Sequence, residues 1–104
     1  MSSQRWRDLL NEEPDNELVR FSLAKALIEE KRFGDALEHL SEIIKVQPDF
    51  ALAFGMLGRC YLAVGKKDQA RQMAEQGLAL SLEQKHEVPE MEARAVLEEL
   101  DSEF

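Results

Sequence analysis

The chain has 104 residues and a formal net charge of −8 at pH 7, from 21 acidic and 13 basic side chains. This length supports one domain with one hydrophobic core and excludes two domains with separate cores. The excess negative charge repels phosphate groups, which excludes nucleic acid and anionic membrane surfaces as natural partners.

The rest of the composition favours a helical protein of the cytoplasm. Only three prolines and five glycines are available for turns, which suits long helices better than the many short strands of a β-sandwich. No apolar run approaches the roughly 20 residues of a membrane span, and the first residues lack the pattern of a secretion signal. A single cysteine, Cys60, excludes a disulfide within the chain and suits a reducing compartment.

Apolar periodicity predicts six helices and no strand. We expect them at about 3–12, 16–31, 35–47, 50–64, 68–84 and 89–101. Gly34 and Gly65 follow the second and fourth of these segments, where glycine commonly ends a helix. Pro89 is placed in the first turn of the last helix, where its missing N–H costs little. Gly77, inside the fifth helix, is expected to let the last helix approach closely.

The chain repeats itself with a period of 34 residues. Pro14 and Pro48 stand 34 residues apart, and each is followed by Asp and then by a helical pattern. The same shift aligns four further pairs: Leu23 with Leu57, Ala24 with Gly58, Leu27 with Tyr61, and Ala36 with Ala70. A fixed period of this length predicts helical hairpins that stack on one another to bury a common core.

The best copy of the repeat, Leu57-Gly58-Arg59-Cys60-Tyr61 followed by Ala70, resembles the tetratricopeptide repeat. The first copy departs from the family pattern at Arg20, which stands where the family has tryptophan, and the second has Leu82 in place of the closing proline. The resemblance implies an all-α fold of antiparallel helix hairpins, wound into a right-handed superhelix. It also implies a single domain, 1–104, that consists of a half-repeat helix at 1–14, repeats at 17–50 and 51–84, and an acidic capping helix at 89–104.

The resemblance further implies a peptide-binding groove on the concave face, lined by the first helix of each repeat. Helical geometry directs these side chains away from the packing stripe of each helix. They are Leu18, Phe21, Lys25, Ile28, Leu52, Gly55, Met56, Arg59 and Leu62. Because Lys25 and Arg59 supply one cation per repeat, we predict an adaptor that binds an acidic or amphipathic segment of another protein. Phe21 and Gly55 stand where a clamp for a terminal carboxylate would need polar groups, so that subclass is disfavoured.

Residues capable of chemistry are scattered, and we predict no catalytic residue, metal or cofactor. His86-Glu87 lacks the second histidine of a zinc motif, and Pro89 interrupts the helix that such a motif needs. His39 is expected at the surface, and Cys60 is expected to fill a small packing position. Its alternative role is a thiol activated by the adjacent Arg59.

A different class of function stays open alongside the adaptor. Apolar residues near the chain's beginning, Trp6 and Leu10, would form an exposed end that pairs with a second copy or with a constitutive subunit. A homodimer or a structural subunit of a larger assembly is therefore the alternative prediction.

Overall fold

The structure is a computed structural model that describes residues 2–102; Met1, Glu103 and Phe104 lie outside the described residues. Within this range all regular structure is helical, which confirms the predicted fold class. The helices are α1 (Ser3–Glu12), α2 (Glu17–Glu29), α3 (Phe33–Val46), α4 (Ala51–Ala63), α5 (Lys67–Gln84) and α6 (Glu87–Asp101). Both α2 and α4 have 13 residues and begin 34 residues apart, so the sequence period is also the structural period.

Each helix packs against the next in the chain, and α4 additionally packs against α6. Because the connections are short, neighbouring helices form antiparallel hairpins. The larger core cluster lies among α1 to α4 and is built on Leu23, Leu27 and Leu40, all of which are fully buried. A smaller cluster joins α5 and α6 through Ala70, Ala74, Val96 and Leu100. The core is therefore rich in leucine at the first repeat and rich in alanine at the second.

The glycines of the second repeat allow its helices to approach closely. A Cβ atom on Gly77 would lie 3.1 Å from the backbone N of Gly55 and from Cβ of Phe54, so Gly77 admits α4. The prediction that Gly77 admits the last helix is wrong; Gly55 has that role, because its Cβ would lie 3.0 Å from Cγ of Glu92 on α6. Small residues thus hold α4 tightly between α5 and α6.

Helix ends follow local chemistry, with one correction. Asn16 caps α2, since its side chain accepts a hydrogen bond of 3.2 Å from the N–H of Val19. Gly65 has a φ of 83° and ends α4 as predicted. Gly34, however, lies inside α3, and the preceding turn is made by Lys31 with a φ of 60°. The prediction that Gly34 ends a helix is wrong, because Lys31 adopts the left-handed conformation in the turn between α2 and α3.

The first helix is fastened to the end of α2 by side-chain hydrogen bonds. The carboxylate of Glu30 accepts two hydrogen bonds from Ser3, one of 2.8 Å from its backbone N–H and one of 2.6 Å from its hydroxyl group. Nη1 of Arg32 lies 3.8 Å from the same carboxylate. A helix begins with N–H groups that have no partner within it. Glu30 satisfies one of them from a different hairpin, and these hydrogen bonds lower the pKa of its carboxyl group.

Candidate functional site

A groove runs between α2 and α4, because these two helices share only sparse backbone contact whereas α4 packs directly on α6. Its central depression, of about 250 Å³, is lined from α2 by Phe21, Lys25, Ile28 and Glu29, and from α4 by Leu52, Met56 and Arg59, with Glu92 of α6 at its edge. We call this depression and its continuations the α2–α4 groove. It contains most of the predicted lining residues.

The groove continues beyond the central depression in both directions. Towards the start of α2 it passes Phe21 into a depression that Leu18 and Phe50 line together with Ile43 and Gln47 at the end of α3. The rings of Phe21 and Phe50 lie 5.1 Å apart between centroids, so they form one aromatic wall. Towards the end of α2 it passes Ile28 into a depression that Phe33 and Leu62 line together with charged side chains, among them Lys31 and Glu99 of α6. Apolar side chains therefore follow the whole length of α2.

The two predicted cations of the groove are in different electrostatic states. Arg59 donates from Nε to Oε1 of Glu92 at 2.6 Å, and its Nη2 lies 2.6 Å from the same oxygen. This hydrogen-bonded partner raises the pKa of Arg59. The Nζ of Lys25 instead stands 5.6 Å from the centroid of the Phe21 ring, a cation–π arrangement. No carboxylate of residues 2–102 lies within ion-pair distance of Lys25.

The structure places the predicted lining residues in three groups. Half-buried residues at the groove surface are Phe21, Ile28, Leu52 and Leu62, while Leu18 is 74% exposed at one end. Met56 contributes to the floor and is 8% exposed. Gly55 is buried under α6 and offers no surface to a ligand, which corrects its assignment as an accessible lining residue.

Sequence reasoning missed the anionic and aromatic members of the groove. Glu92 belongs to a helix that was interpreted only as a cap, and it lies 33 residues from Arg59, so no local pattern joins them. Glu29 lines the central depression one helical turn after Lys25. Phe50 immediately precedes α4, outside the helical face from which the lining residues were predicted. The groove is therefore less positive than the sequence predicted.

A polar cluster lies between α2 and α3, away from the groove residues. Nη1 of Arg20 is 3.3 Å from Nδ1 of His39, and Nη2 donates to the carbonyl of Pro14 at 3.1 Å. His39 is half-buried, which corrects its prediction as a surface histidine. Its burial, followed by the charges of Arg20 and Arg7, lowers its pKa. The cluster occupies the position where the family pattern has tryptophan, and it joins the two helices by polar contacts.

The two ends of the helical stack differ: Trp6 and Leu10 of α1 pack inward, whereas α6 presents charged side chains together with exposed Val88 and Met91. Trp6 packs against the core and Leu10 is 8% exposed, so the prediction of an exposed apolar end at these residues is wrong. On α6, Nε of Arg94 donates to Glu90 at 2.9 Å. A polar outer face is what a terminal helix of a repeat array needs.

Cys60 is fully buried, and burial raises the pKa of its thiol to about 12. A neutral thiol in the core acts as a small packing group rather than a nucleophile. Among residues 2–102 no group of three or more His, Cys, Asp or Glu is arranged to hold a metal ion. In the same range no helix combines the length and apolar character needed to cross a membrane.

Antiparallel helix hairpins that repeat every 34 residues and leave an open groove beside their first helices define a helical-repeat protein. More specifically, the chain belongs to the tetratricopeptide repeat family, whose pattern matches residues 27–85. Proteins of this family generally serve as protein-interaction modules.

Comparison with individual proteins agrees with this assignment. TPR repeat-containing protein PA0015 of Pseudomonas aeruginosa is 33% identical over 87 residues, which cover 84% of this chain and 83% of that protein. The solution structure of protein BPP2914 from Bordetella parapertussis is 31% identical, with a TM-score of 0.82, and the match covers 97% of this chain and 88% of that one. A tetratricopeptide repeat domain from Salinibacter ruber is similar in fold, with a TM-score of 0.72 and 20% identity over 84% of this chain and 98% of that one.

Proposed function

We propose that this chain is a non-catalytic adaptor of the cytoplasm, which binds a segment of a partner protein in the α2–α4 groove. The observation that carries the proposal is an open groove in which apolar side chains from two helices keep surface. Phe21 and Leu52 line its central depression, and Leu18 lies at one end. Apolar surface that a protein leaves in contact with water commonly marks an interaction site.

Self-association is a second candidate, and one observation favours it. Val88 and Met91 on α6 are 61% and 64% exposed and lie three residues apart on one side of the helix. Two copies paired through this stripe would shield it, as in an isologous dimer. Flanking carboxylates at Glu87 and Glu98 would repel their counterparts in such a pair, which makes this candidate the weaker one.

Affinity capture with paired variants tests the adaptor function. The groove variant combines Leu18→Ser with Lys25→Glu, and its matched control combines Leu82→Ser with Lys45→Glu on α5 and α3. In both variants the changed side chains are exposed, so the thermal melts should stay within a few degrees of the wild type. We expect specific partners, identified by mass spectrometry, to be lost with the groove variant and retained with the control.

Two outcomes would count against the adaptor. If both variants capture the same partners as the wild type, the groove is not the binding site. If the wild type dimerises in sedimentation experiments and Val88→Ser with Met91→Ser abolishes the dimer, self-association is the better assignment. Sedimentation of the pure chain over a range of concentrations therefore accompanies the capture experiment.

A further inference from the structure

The direction of the groove follows from three depressions that share residues. The central depression shares Phe21 with the one at Leu18 and Phe50. It shares Ile28 with the one at Phe33 and Leu62. Since Leu18, Phe21 and Ile28 are successive positions on one helix, this apolar track runs along α2 rather than across the stack.

The sixth helix closes the route that crosses the stack. A ligand passing from α2 over α4 would need the face of α4 that contains Gly55 and Arg59. Glu92 covers Gly55 so closely that a Cβ added to Gly55 would lie 3.0 Å from Cγ of Glu92. The carboxylate of Glu92 also forms an ion pair with Arg59. The open surface on α4 is thereby limited to the side that faces α2.

The length and shape of the track fit a helix. α2 and α4 have 13 residues each, which at 1.5 Å per residue gives a groove of about 20 Å. A ligand helix of nearly four turns has that length, and its apolar side chains at i, i+3, i+4 and i+7 would enter successive depressions. A seam between two helices is also the surface on which a further helix packs by ridges and grooves.

The charges along the track select a helix with few acidic residues. Lys25 has no carboxylate partner among residues 2–102, so it can pair with one acidic residue of the ligand. Arg59 is already neutralised by Glu92. Glu29 lies one turn after Lys25 in the same depression and would repel a second acidic group. In the depression beyond Ile28, Glu99 balances the charge of Lys31. A uniformly acidic segment is therefore disfavoured.

We infer that the ligand is an amphipathic helix of nearly four turns from a partner protein, seated along α2 and α4 with one acidic residue at Lys25. This rests on the proposed adaptor function and deepens it by assigning the conformation, direction and charge of the bound segment. It replaces the wider expectation of any acidic or amphipathic peptide.

Synthetic peptides provide defined probes. The test peptide has about 14 residues, is labelled with fluorescein, and carries leucines at i, i+3, i+4 and i+7 with one glutamate beside this stripe. A second peptide replaces the glutamate by lysine, and a third has the composition of the first but no periodic stripe. We expect the first to bind with a dissociation constant of roughly 10–100 μM by fluorescence anisotropy. The other two should bind at least about tenfold more weakly.

Two matched pairs of variants test the seat. Leu18→Ser should weaken binding several-fold, whereas Met91→Ser should leave it unchanged. The two side chains are similar in size and exposure but lie on α2 and α6, respectively. Lys25→Glu should weaken binding about tenfold, while Lys66→Glu, the same charge change in the turn before α5, should not. Amide NMR shifts on peptide addition should concentrate on α2 and α4 and spare the outer face of α6.

The outcomes separate this inference from the adaptor function. If Met91→Ser weakens binding as much as Leu18→Ser, the ligand crosses the stack; the seat is then wrong while the adaptor function stands. If the peptide with lysine binds as tightly as the peptide with glutamate, the proposed pairing of an acidic ligand residue with Lys25 is wrong. No binding of the first peptide up to about 1 mM overturns the helical ligand, whereas loss of captured partners in the groove variant would still support an adaptor. Dimerisation of the pure chain that Leu18→Ser abolishes would assign the groove to a second copy.

Discussion

The two sides of α4 are built in different ways. Towards α6 it presents Gly55, where an added Cβ would lie 3.0 Å from Cγ of Glu92 and 3.5 Å from the backbone N of Ala93. Towards α2 it presents Leu52 and Met56, whose larger side chains keep the helices apart and leave a groove. The difference indicates that residue size at a few positions of α4 sets how closely a neighbouring helix approaches it: Gly55 admits α6, and larger residues leave a groove beside α2.

A single helix therefore has one closely packed side and one side that faces an open groove. The closest backbone approaches of α4 to α5 and α6 occur at glycine, where an added Cβ would meet neighbouring atoms at 3.0–3.1 Å. The α2 side buries leucines in the core below and leaves aromatic and aliphatic groups at the surface above. Substitutions that enlarge a side chain should therefore have opposite consequences on the two sides.

The largest effect is expected from overpacking the second hairpin. Ala70→Trp places an indole at a position with no exposed surface, where the carbonyl of Ala70 itself faces Gly58. We expect destabilisation of more than about 3 kcal/mol or complete unfolding. Ala79→Trp, the same change at an exposed position of α5, should leave the melting temperature nearly unchanged. Similar circular dichroism melts for the two variants would contradict the close pairing of α4 and α5.

A methyl group added at two glycines should change stability in opposite directions. Gly77→Ala directs a Cβ to 3.1 Å from backbone and side-chain atoms of α4, whereas a Cβ on Gly34 meets nothing within 4 Å. We expect Gly77→Ala to cost about 1–3 kcal/mol and Gly34→Ala to stabilise by up to about 1 kcal/mol through helix propensity. Urea denaturation of both variants measures this. Stabilisation by both changes would show that α4 and α5 are not closely packed at Gly77.

A smaller effect is expected from the ion pair that joins α4 to α6. A double-mutant cycle of Arg59→Ala and Glu92→Ala should give a coupling energy of about 0.5–1 kcal/mol, because both groups are partly exposed and screened. The control cycle on Arg71 and Asp101, a more exposed pair between α5 and α6, should give less. Equal coupling in the two cycles would mean that Glu92 adds nothing particular to closure of α6 on α4.

The sequence predicted the parts of this structure that depend on local patterns. Apolar periodicity and the 34-residue shift located all six helices within a few residues, because each signal lies inside one helix or one repeat. Long-range polar contacts carried no such signal: Glu92 reaches Arg59 and Glu30 reaches Ser3 across 33 and 27 residues. The turn at Lys31 was missed because a left-handed lysine has no sequence signature. The division into half-repeat, repeats and cap stays a prediction.

The smallest effect concerns how α1 is attached, and pH measures it. Hydrogen bonds from Ser3 lower the pKa of Glu30 in the folded chain. Its contribution to stability is therefore complete above the unfolded value of about 4.3, and it is lost as the pH falls through the lower folded value. Trp6, the single tryptophan, lies on α1 and packs against the core. Its fluorescence should shift to longer wavelength over that pH range while circular dichroism still reports a helical protein.

Variants at Glu30 identify the group responsible. Glu30→Gln keeps the shape of the side chain but removes the charge that the N–H and hydroxyl of Ser3 address. At neutral pH we expect the Trp6 fluorescence of this variant to lie already at the longer wavelength that the wild type reaches only in acid. The variant should then show no further fluorescence change below about pH 4.3. Glu29→Gln, the adjacent change, should keep the wild-type transition, because Glu29 lines the groove instead. A transition that survives in Glu30→Gln would assign the pH response to other carboxylates, and α1 would then be held by the packing of Trp6 and Leu10 alone.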